Sequence, residues 1–345
     1  MANIRDVAKH AGVSIATVSA ALNDSPTVSE ATRRKVLATV ETLGYAPNAV
    51  AQSLRRGKSR LIGIAIADIS NPHCSTLVRT IEKVAIAAGY SIIVCNTDRD
   101  AGRELAVLTQ LRAQRVAGII LTPLGRGADY VKVLEARNLP PIVTVDQKVP
   151  GLARDFIGVD NRAAVRTLTE YLLRLGHRRI AMITGPAGIW TSDERLAAFV
   201  ETMEEVGMPA DPSLCVAGNY RGDLAYEVAK PLMTRPDRPT AIIGANNVTA
   251  LGALQAILDL GFRCPADVSL VGIDDVPWSG LVRPRVTTAA QPIEEIARIA
   301  IRCLFERMSG GPDAHQPPRD IVFQPEFLAG DSCTDFRPLE LAAVG

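Results

Sequence analysis

The sequence predicts a small all-α helix-turn-helix headpiece followed by an α/β core of two similar lobes, each on a parallel sheet. Three observations carry this. Residues 4–45 place apolar side chains at helical spacing in three short segments. From Leu61 onward, short apolar runs alternate with longer amphipathic ones, the pattern of repeated β-α units with helices on both sheet faces. More than ten such runs exceed one comfortable open sheet, which divides the core in two. A chain of 345 residues that is 47% hydrophobic can bury cores of that size.

In the headpiece, "IRDVAKHAG" sets Ile4, Val7, Ala8 and Ala11 on one face, and Gly12 supplies the turn. Ser14 precedes "IATVSAAL" as an N-cap, its hydroxyl taking an otherwise free helix N–H. A loop, Asn23-Asp24-Ser25-Pro26, leads to Ser29, which caps "EATRRKVLATVETLG". There Val36, Leu37, Val40 and Leu43 recur at helical spacing and Gly44 marks the stop. "PNAVAQSLRRGKS", residues 47–59, is a linker or a marginal helix: a helix beginning at Pro47 and ending at Gly57 falls short of the roughly 12–15 residues an isolated helix needs. In the core the strand candidates are "LIGIAIADI", "SIIVCNT", "AGIILTP", "PIVTVDQ", "FIGVD", "RIAMITG", "CVAG", "AIIGAN", "VSLVGIDD", "VTTAAQ" and "DIVFQPEF". Helical runs such as "CSTLVRTIEKVAIAAG" and "RAAVRTLTEYLLRLG" separate most of them. Polar loops follow the strand C-termini, where open α/β sheets bind ligands.

Charge is unevenly spread. Residues 1–60 hold nine Lys or Arg against four acids, the remainder 29 against 33. A basic block on a mildly acidic body suits a polyanion partner for the block alone. The six cysteines are scattered with no C-x-x-C pair, so reduced thiols are expected rather than a disulfide framework or a zinc site. No apolar run approaches the roughly 20 residues that span a bilayer. Arg5, Asp6, Lys9 and His10 interrupt any signal-like apolar stretch, and a cytoplasmic protein is expected.

Together these features resemble the LacI/GalR family of bacterial transcription regulators. The N-terminal likeness is in "IRDVAKHAGVSIATVSAALND", "VSEATRRKVLATVETLGYAPNAVAQSLRRGKS" and "IGIAIADISNP". It continues through "RLGHRRIAMITGP", "GANNVTALGALQAILDLGFRCPADVSLVGIDDVPWSGLVRPRVTT" and "QPIEEIA", nearly end to end. The resemblance implies a helix-turn-helix domain over 1–46 and a hinge helix over 47–60 that folds on operator DNA. It further implies a periplasmic-binding-protein-like core, with one lobe from 61–160 and 292–321 and the other from 161–291 and 322–340. A ligand-controlled regulator is expected, a repressor working as a homodimer on a roughly palindromic double-stranded operator, without cofactor or membrane.

At the DNA end the resemblance selects Ile15, Ala16 and Ala20 as base-edge residues. All are apolar, so they offer no bidentate guanine or adenine contact and suit thymine methyls instead. Ser14, Thr17 and Ser19 add hydroxyls. Thr32, Arg33, Tyr45 and Asn48 are phosphate candidates, which position without reading sequence. In the hinge, Ala51, Leu54 and Arg55 face DNA, with Leu54 matching the family's minor-groove wedge, which bends the duplex.

At the ligand end it selects His73, Cys74, Asp160, Ile189, Thr191, Arg195, Tyr220, Asn246, Asn247, Asp274 and Gln291, around a cleft between the lobes. Arg195, Asn246 and Asp274 suit the vicinal hydroxyls of a sugar or polyol, with Tyr220 against an apolar sugar face. Three positions depart from the family. His73 and Cys74 stand where aromatics are frequent, Asn247 replaces the Asp of an "AND" motif, and apolar Ile189 argues against a purine effector. Other small metabolites, acids included, stay open.

Enzymatic readings are weak. Asp274-Asp275 and His73-Cys74 are adjacent pairs whose side chains need not converge. The four His residues lack metal-ligand spacing, and no G-x-G-x-x-G follows the first strand. A cytoplasmic solute-binding module without gene regulation is the competing class, and a nicotinamide-dependent enzyme a distant third.

Overall fold

The computed structural model describes residues 2–22, 24–45, 59–136, 138–311 and 316–336. The chain divides into two compact units, Met1–Ser59 and Arg60–Gly345.

The first unit holds α1 (Ile4–Ala11), α2 (Ile15–Leu22) and α3 (Glu30–Thr42). Asn3 and Asp6 form a reciprocal capping box on α1, and Gly12 ends it at φ 61°. Ser14 Oγ accepts the Thr17 N–H at 3.0 Å and Ser29 Oγ that of Thr32 at 3.3 Å, so both expected caps are in place. Val7, Ala8, Ala11, Val18, Ala21 and Val36 make the buried core. Leu37 departs from the helical-spacing reading: it is 47% exposed, because Val36, Val40 and Leu43 already cover the face of α3 that meets the other helices.

The second unit contains two six-stranded sheets. The first orders its strands β11-β5-β4-β3-β1-β2, the second β12-β10-β9-β8-β6-β7. β1 (Leu61–Ile66), β2 (Ser91–Asn96), β3 (Gly118–Leu121), β4 (Ile142–Val145) and β5 (Asp155–Val159) build one lobe with α4 (Pro72–Ala87), α5 (Ala101–Ala113) and α6 (Ala128–Leu134). β6 (Ile180–Thr184), β7 (Cys215–Ala217), β8 (Ala241–Gly244), β9 (Ser269–Ile273) and β10 (Thr287–Ala290) build the other with α7 (Asn161–Arg174), α8 (Trp190–Glu205), α9 (Gly222–Thr234) and α10 (Asn247–Asp259). α11 (Ile293–Ser309) returns to the first lobe, packing Ile296, Ala300 and Ile301 against Ile62, Ile120 and Val143. Central strands such as β1 and β3 are apolar and buried on both faces, as helix-covered parallel strands must be.

The run "DIVFQPEF" is two strands rather than one. β11 (Asp320–Phe323) adds parallel to β5, and β12 (Glu326–Leu328) adds antiparallel to β10. Pro325 lies between them, lacking the N–H a continuous ladder would need. The last crossover between lobes therefore follows Phe323, not residue 321. The chain also crosses after β5 and after β10, so three passes join the two lobes.

Candidate functional site

In α2 the core takes Val18 and Ala21, which turns Ser14, Ile15 and Ala16 outward. Ile15 is 39% exposed, an apolar side chain left on the surface of the headpiece. Thr17, Ser19 and Ala20 are half-buried. Two expected hydroxyl contacts are already engaged: Ser14 Oγ and Thr17 Oγ1 lie 2.8 Å apart while Ser14 caps the helix. Thr32 Oγ1 likewise pairs with Ser29 Oγ at 2.9 Å.

Arg33 is placed differently from the phosphate contact expected of it. Its Nη1 lies 3.0 Å from Asp24 Oδ1 and its Nη2 donates to the Ser25 carbonyl at 2.7 Å, with Glu30 at 3.6 Å. The guanidinium closes the loop between α2 and α3. The neighbouring Arg34 and Lys35, which the motif comparison passed over, are exposed on α3. Tyr45 packs on the headpiece core and donates its N–H to the Val40 carbonyl at 3.0 Å. Asn48, Ala51, Leu54 and Arg55 lie outside the described residues.

The larger site is a cleft between the two lobes of the core, with an empty volume of about 840 Å³. Loops at the carboxyl ends of the strands of both sheets wall it, where open α/β sheets bind ligands. Of the expected contacts, His73, Cys74, Ile189, Thr191, Arg195, Tyr220, Asn246 and Asp274 line it. Arg99, Asp146, Tyr220 and Asp274, four of its wall residues, hold a left-handed backbone, with φ between 56° and 67°. Such a conformation costs a non-glycine residue on the order of 1 kcal/mol or more, and such outliers cluster at functional sites. Tyr220 needs a second concession: a Cβ on Gly185 would sit 2.3 Å from the tyrosine Cζ.

Arg195 is the fixed charge of the cleft. Its Nε donates to Asn161 Oδ1 at 2.7 Å and its Nη1 to the Ala245 carbonyl at 2.6 Å, and the side chain is almost fully buried. Burial works against its charge, but Tyr220, Asp274 and Asp146 outweigh that and hold its pKa above the ordinary arginine value. His73 lies between two carboxylates, its Nε2 3.9 Å from Asp146 Oδ1 and its Nδ1 3.7 Å from Asp274 Oδ1. Asp146 belongs to the first lobe and Asp274 to the second, so the pair grips one space from both sides. Gln147 reaches across the lobes as well, donating from Nε2 to Thr191 Oγ1 at 2.7 Å while its Oε1 accepts the Thr191 N–H at 3.2 Å.

Three expected contacts do other work. Asp160 caps α7, accepting the Ala163 N–H at 2.9 Å, because it sits at the first crossover rather than on a cleft loop. Asn247 forms a reciprocal amide pair with Asn71 across the lobes, at 3.2 and 3.1 Å. A carboxylate at 247 could only accept, so the departure from Asp is what permits this two-way clasp. Gln291 stands behind the site and donates to Asp274 Oδ1 at 2.8 Å, orienting it. Asp146, Gln147, Asn71, Arg99 and Thr122 belong to the site without having been singled out from sequence. The end of "PIVTVDQ" carried a signal for two of them, polar residues just past an apolar parallel strand.

Each adjacent pair has one member set apart from the cleft chemistry. Burial, with Asp146 adding, pushes the Cys74 thiol up to about 12, which keeps it protonated. Asp275 spends its carboxylate on the Val276 N–H, Ser279 Oγ and Arg285 Nη2.

The cleft wall also contains a titrating support. Leu124, which lines it, donates its N–H to Glu104 Oε2 at 2.9 Å, and the Tyr130 hydroxyl donates to Glu104 Oε1. Burial raises the Glu104 carboxyl to about 7, with those two donors opposing only in part. Folded chains therefore hold a proton there that unfolded chains release near 4.5. That contribution to stability is complete below pH 4.5 and disappears as pH rises through 7, amounting to about 3 kcal/mol. Glu104→Gln keeps the shape without the proton. In denaturant titrations, the stability difference between wild type and variant should change by about that amount between pH 4.5 and 8. A change below about 1 kcal/mol would exclude it.

Among the described residues no helix is long and apolar enough to cross a membrane. Residues 3–48 match the family model of bacterial regulatory proteins of the lacI family, and residues 169–333 match a periplasmic binding protein-like domain. The chain is 35% identical over 315 residues to the ribose operon repressor of Halalkalibacterium halodurans, covering 90% of this chain and 92% of that protein. It is 37% identical over 331 residues to the HTH-type transcriptional regulator PtxS of Pseudomonas plecoglossicida, covering 95% of each. Among solved structures, the lac repressor dimer bound to operator and the anti-inducer ONPF matches with a TM-score of 0.86 at 28% identity. That match covers 96% of this chain and 99% of the other. With a helix-turn-helix headpiece, a two-lobed cleft core and these matches along nearly its whole length, the chain belongs to the lacI family of bacterial regulatory proteins and is a ligand-controlled, DNA-binding transcriptional regulator.

Proposed function

We propose that the chain is a cytoplasmic repressor that binds a roughly palindromic operator as a homodimer and senses a small sugar or polyol in the interlobe cleft. One observation carries the effector reading: Asp146 and Asp274 come from different lobes and converge on one space, together with the fixed guanidinium of Arg195. Carboxylates accept from hydroxyls and a guanidinium donates to them, so a polyhydroxyl ligand satisfies both. A ligand held from both lobes favours one lobe separation over another, and operator affinity then shifts by its differential affinity for the two states. Solved relatives support this: one is a dimer on operator, and another, the regulator CelR (26% identity, TM-score 0.72), is in complex with cellobiose.

On DNA, Ile15, Ala16 and Ala20 read thymine methyls, with Ser14, Thr17 and Ser19 beside them. Thr32, Tyr45 and Asn48 contact phosphates, and Leu54 enters the minor groove between Ala51 and Arg55. Arg33 acts indirectly, by fixing the loop that presents α3. A DNA-selection experiment with the full chain and with residues 61–345 tests this. The full chain should enrich a palindrome that the truncated chain does not, and replacing thymine by uracil in its half-sites should weaken binding. Equal weak binding by both chains would refute the regulator reading; indifference to uracil would refute the methyl contacts. For the effector, a sugar at about 100 times its dissociation constant should add roughly 2.7 kcal/mol to the stability of the core.

A further inference from the structure

A second compartment of about 520 Å³ adjoins the cleft, sharing Leu124, Gln147 and Ile189 in its walls. The cleft sets the carboxylates Asp146 and Asp274 beside the guanidiniums of Arg99 and Arg195, whereas the compartment carries Arg126 and Lys148 with one carboxylate, Asp193. Lys148 is balanced by Asp320, and Asp193 spends one carboxylate oxygen on the Gly188 N–H at 2.9 Å. Arg126, exposed on the loop after β3, has no hydrogen bond or ion pair among the described residues. Its guanidinium extends from the first lobe over Gly188 of the second: a Cβ on Gly188, which holds φ 77°, would lie 1.8 Å from Nη1 and 2.4 Å from Cζ. An unpaired planar fork at one end of a ligand space, with carboxylates and the guanidinium of Arg195 at the other, suits a molecule with an anionic end and a hydroxylated end.

We propose that the effector is an anionic polyol, its hydroxyl end gripped by Asp146, Asp274 and Arg195 and its anionic end, a phosphate ester or carboxylate, bound by Arg126. A guanidinium meets either group with two parallel hydrogen bonds, which is why one unpaired arginine discriminates an anion from a hydroxyl. This deepens the reading of the cleft as a polyol site and rests on it.

The test is calorimetric titration of the full chain with matched pairs: D-ribose and D-ribose 5-phosphate, D-fructose and D-fructose 6-phosphate, D-glucose and D-gluconate. An anionic member should bind at least about tenfold tighter than its neutral parent. The phosphates and the gluconate separate the two possible anions. Arg126→Gln, a change at an exposed side chain, should erase the advantage without altering the affinity of the neutral parent, and Arg126→Lys should retain part of it. A neutral parent binding as tightly as its anion, or an advantage that survives in Arg126→Gln, overturns the assignment while leaving the polyol reading intact. No binding by any member overturns the polyol reading and this one with it.

Discussion

Asp155→Ala should destabilise the core by about 3–5 kcal/mol and lower its melting temperature by on the order of 10 °C. Asp155 opens β5 with a side chain fully buried in the first lobe. Arg307 donates to it from Nε at 2.9 Å and Nη2 at 2.6 Å. Arg319 donates from its backbone N–H at 2.8 Å and from Nη2 at 3.0 Å. Burial alone would raise the Asp155 pKa, but these two arginines outweigh it and bring the group below the ordinary carboxylate range. The cluster ties β5 to the last turn of α11 and to the start of β11, segments more than 150 residues away in sequence. Removing the carboxylate leaves two neighbouring guanidiniums, Arg319 with Glu306 and Arg307 with the Gln316 and Pro317 carbonyls, and takes away the charge that balances both. Chemical denaturation checks the loss. A cost under 1 kcal/mol would mean that the arginines find other partners and that the cluster is not what closes the sheet.

That cluster shows where sequence reading stops. Strands and helices are local, set by periodicities visible within ten or fifteen residues, and their order yields the lobes. Ser14, Ser29, Gly12 and Gly44 are likewise legible because a cap acts on its own helix. Asp155 with Arg307, or Asn71 with Asn247, joins residues whose separation is invisible to any window. The site divides along the same line. Arg195, Tyr220 and Asp274 come from motifs whose order matches the family, and they line the cleft. Asp160 and Asn247 sit at motif positions too, Asn247 as a departure from Asp, yet they serve a helix cap and a lobe clasp, since a motif fixes a residue's address but not the partner it meets there. Arg33 shows the same limit: a basic residue in a basic headpiece gives no sign in the sequence of the pair it makes with Asp24.

Asp274→Asn should weaken effector binding by about 1.5–3 kcal/mol, roughly 10- to 150-fold, while operator binding without effector stays at the wild-type level. Asn suits the site sterically, and of the non-glycine residues it is among those best able to hold the left-handed backbone at φ 67°. Its Oδ1 still accepts from Gln291. What disappears is the negative charge facing Arg195 and His73, and with it the second lobe's half of the carboxylate grip. A ligand then held mainly by Asp146 no longer distinguishes one lobe separation from the other, so the regulator should bind DNA and ignore its signal. Titrating DNA occupancy with the sugar that stabilises the wild-type core reads both quantities in one experiment. A shift of less than threefold in the effector midpoint would show that Asp274 only orients its neighbours. A parallel loss of operator affinity would instead show that the carboxylate couples the lobes before any ligand arrives, which the weak 3.7 Å approach to His73 argues against.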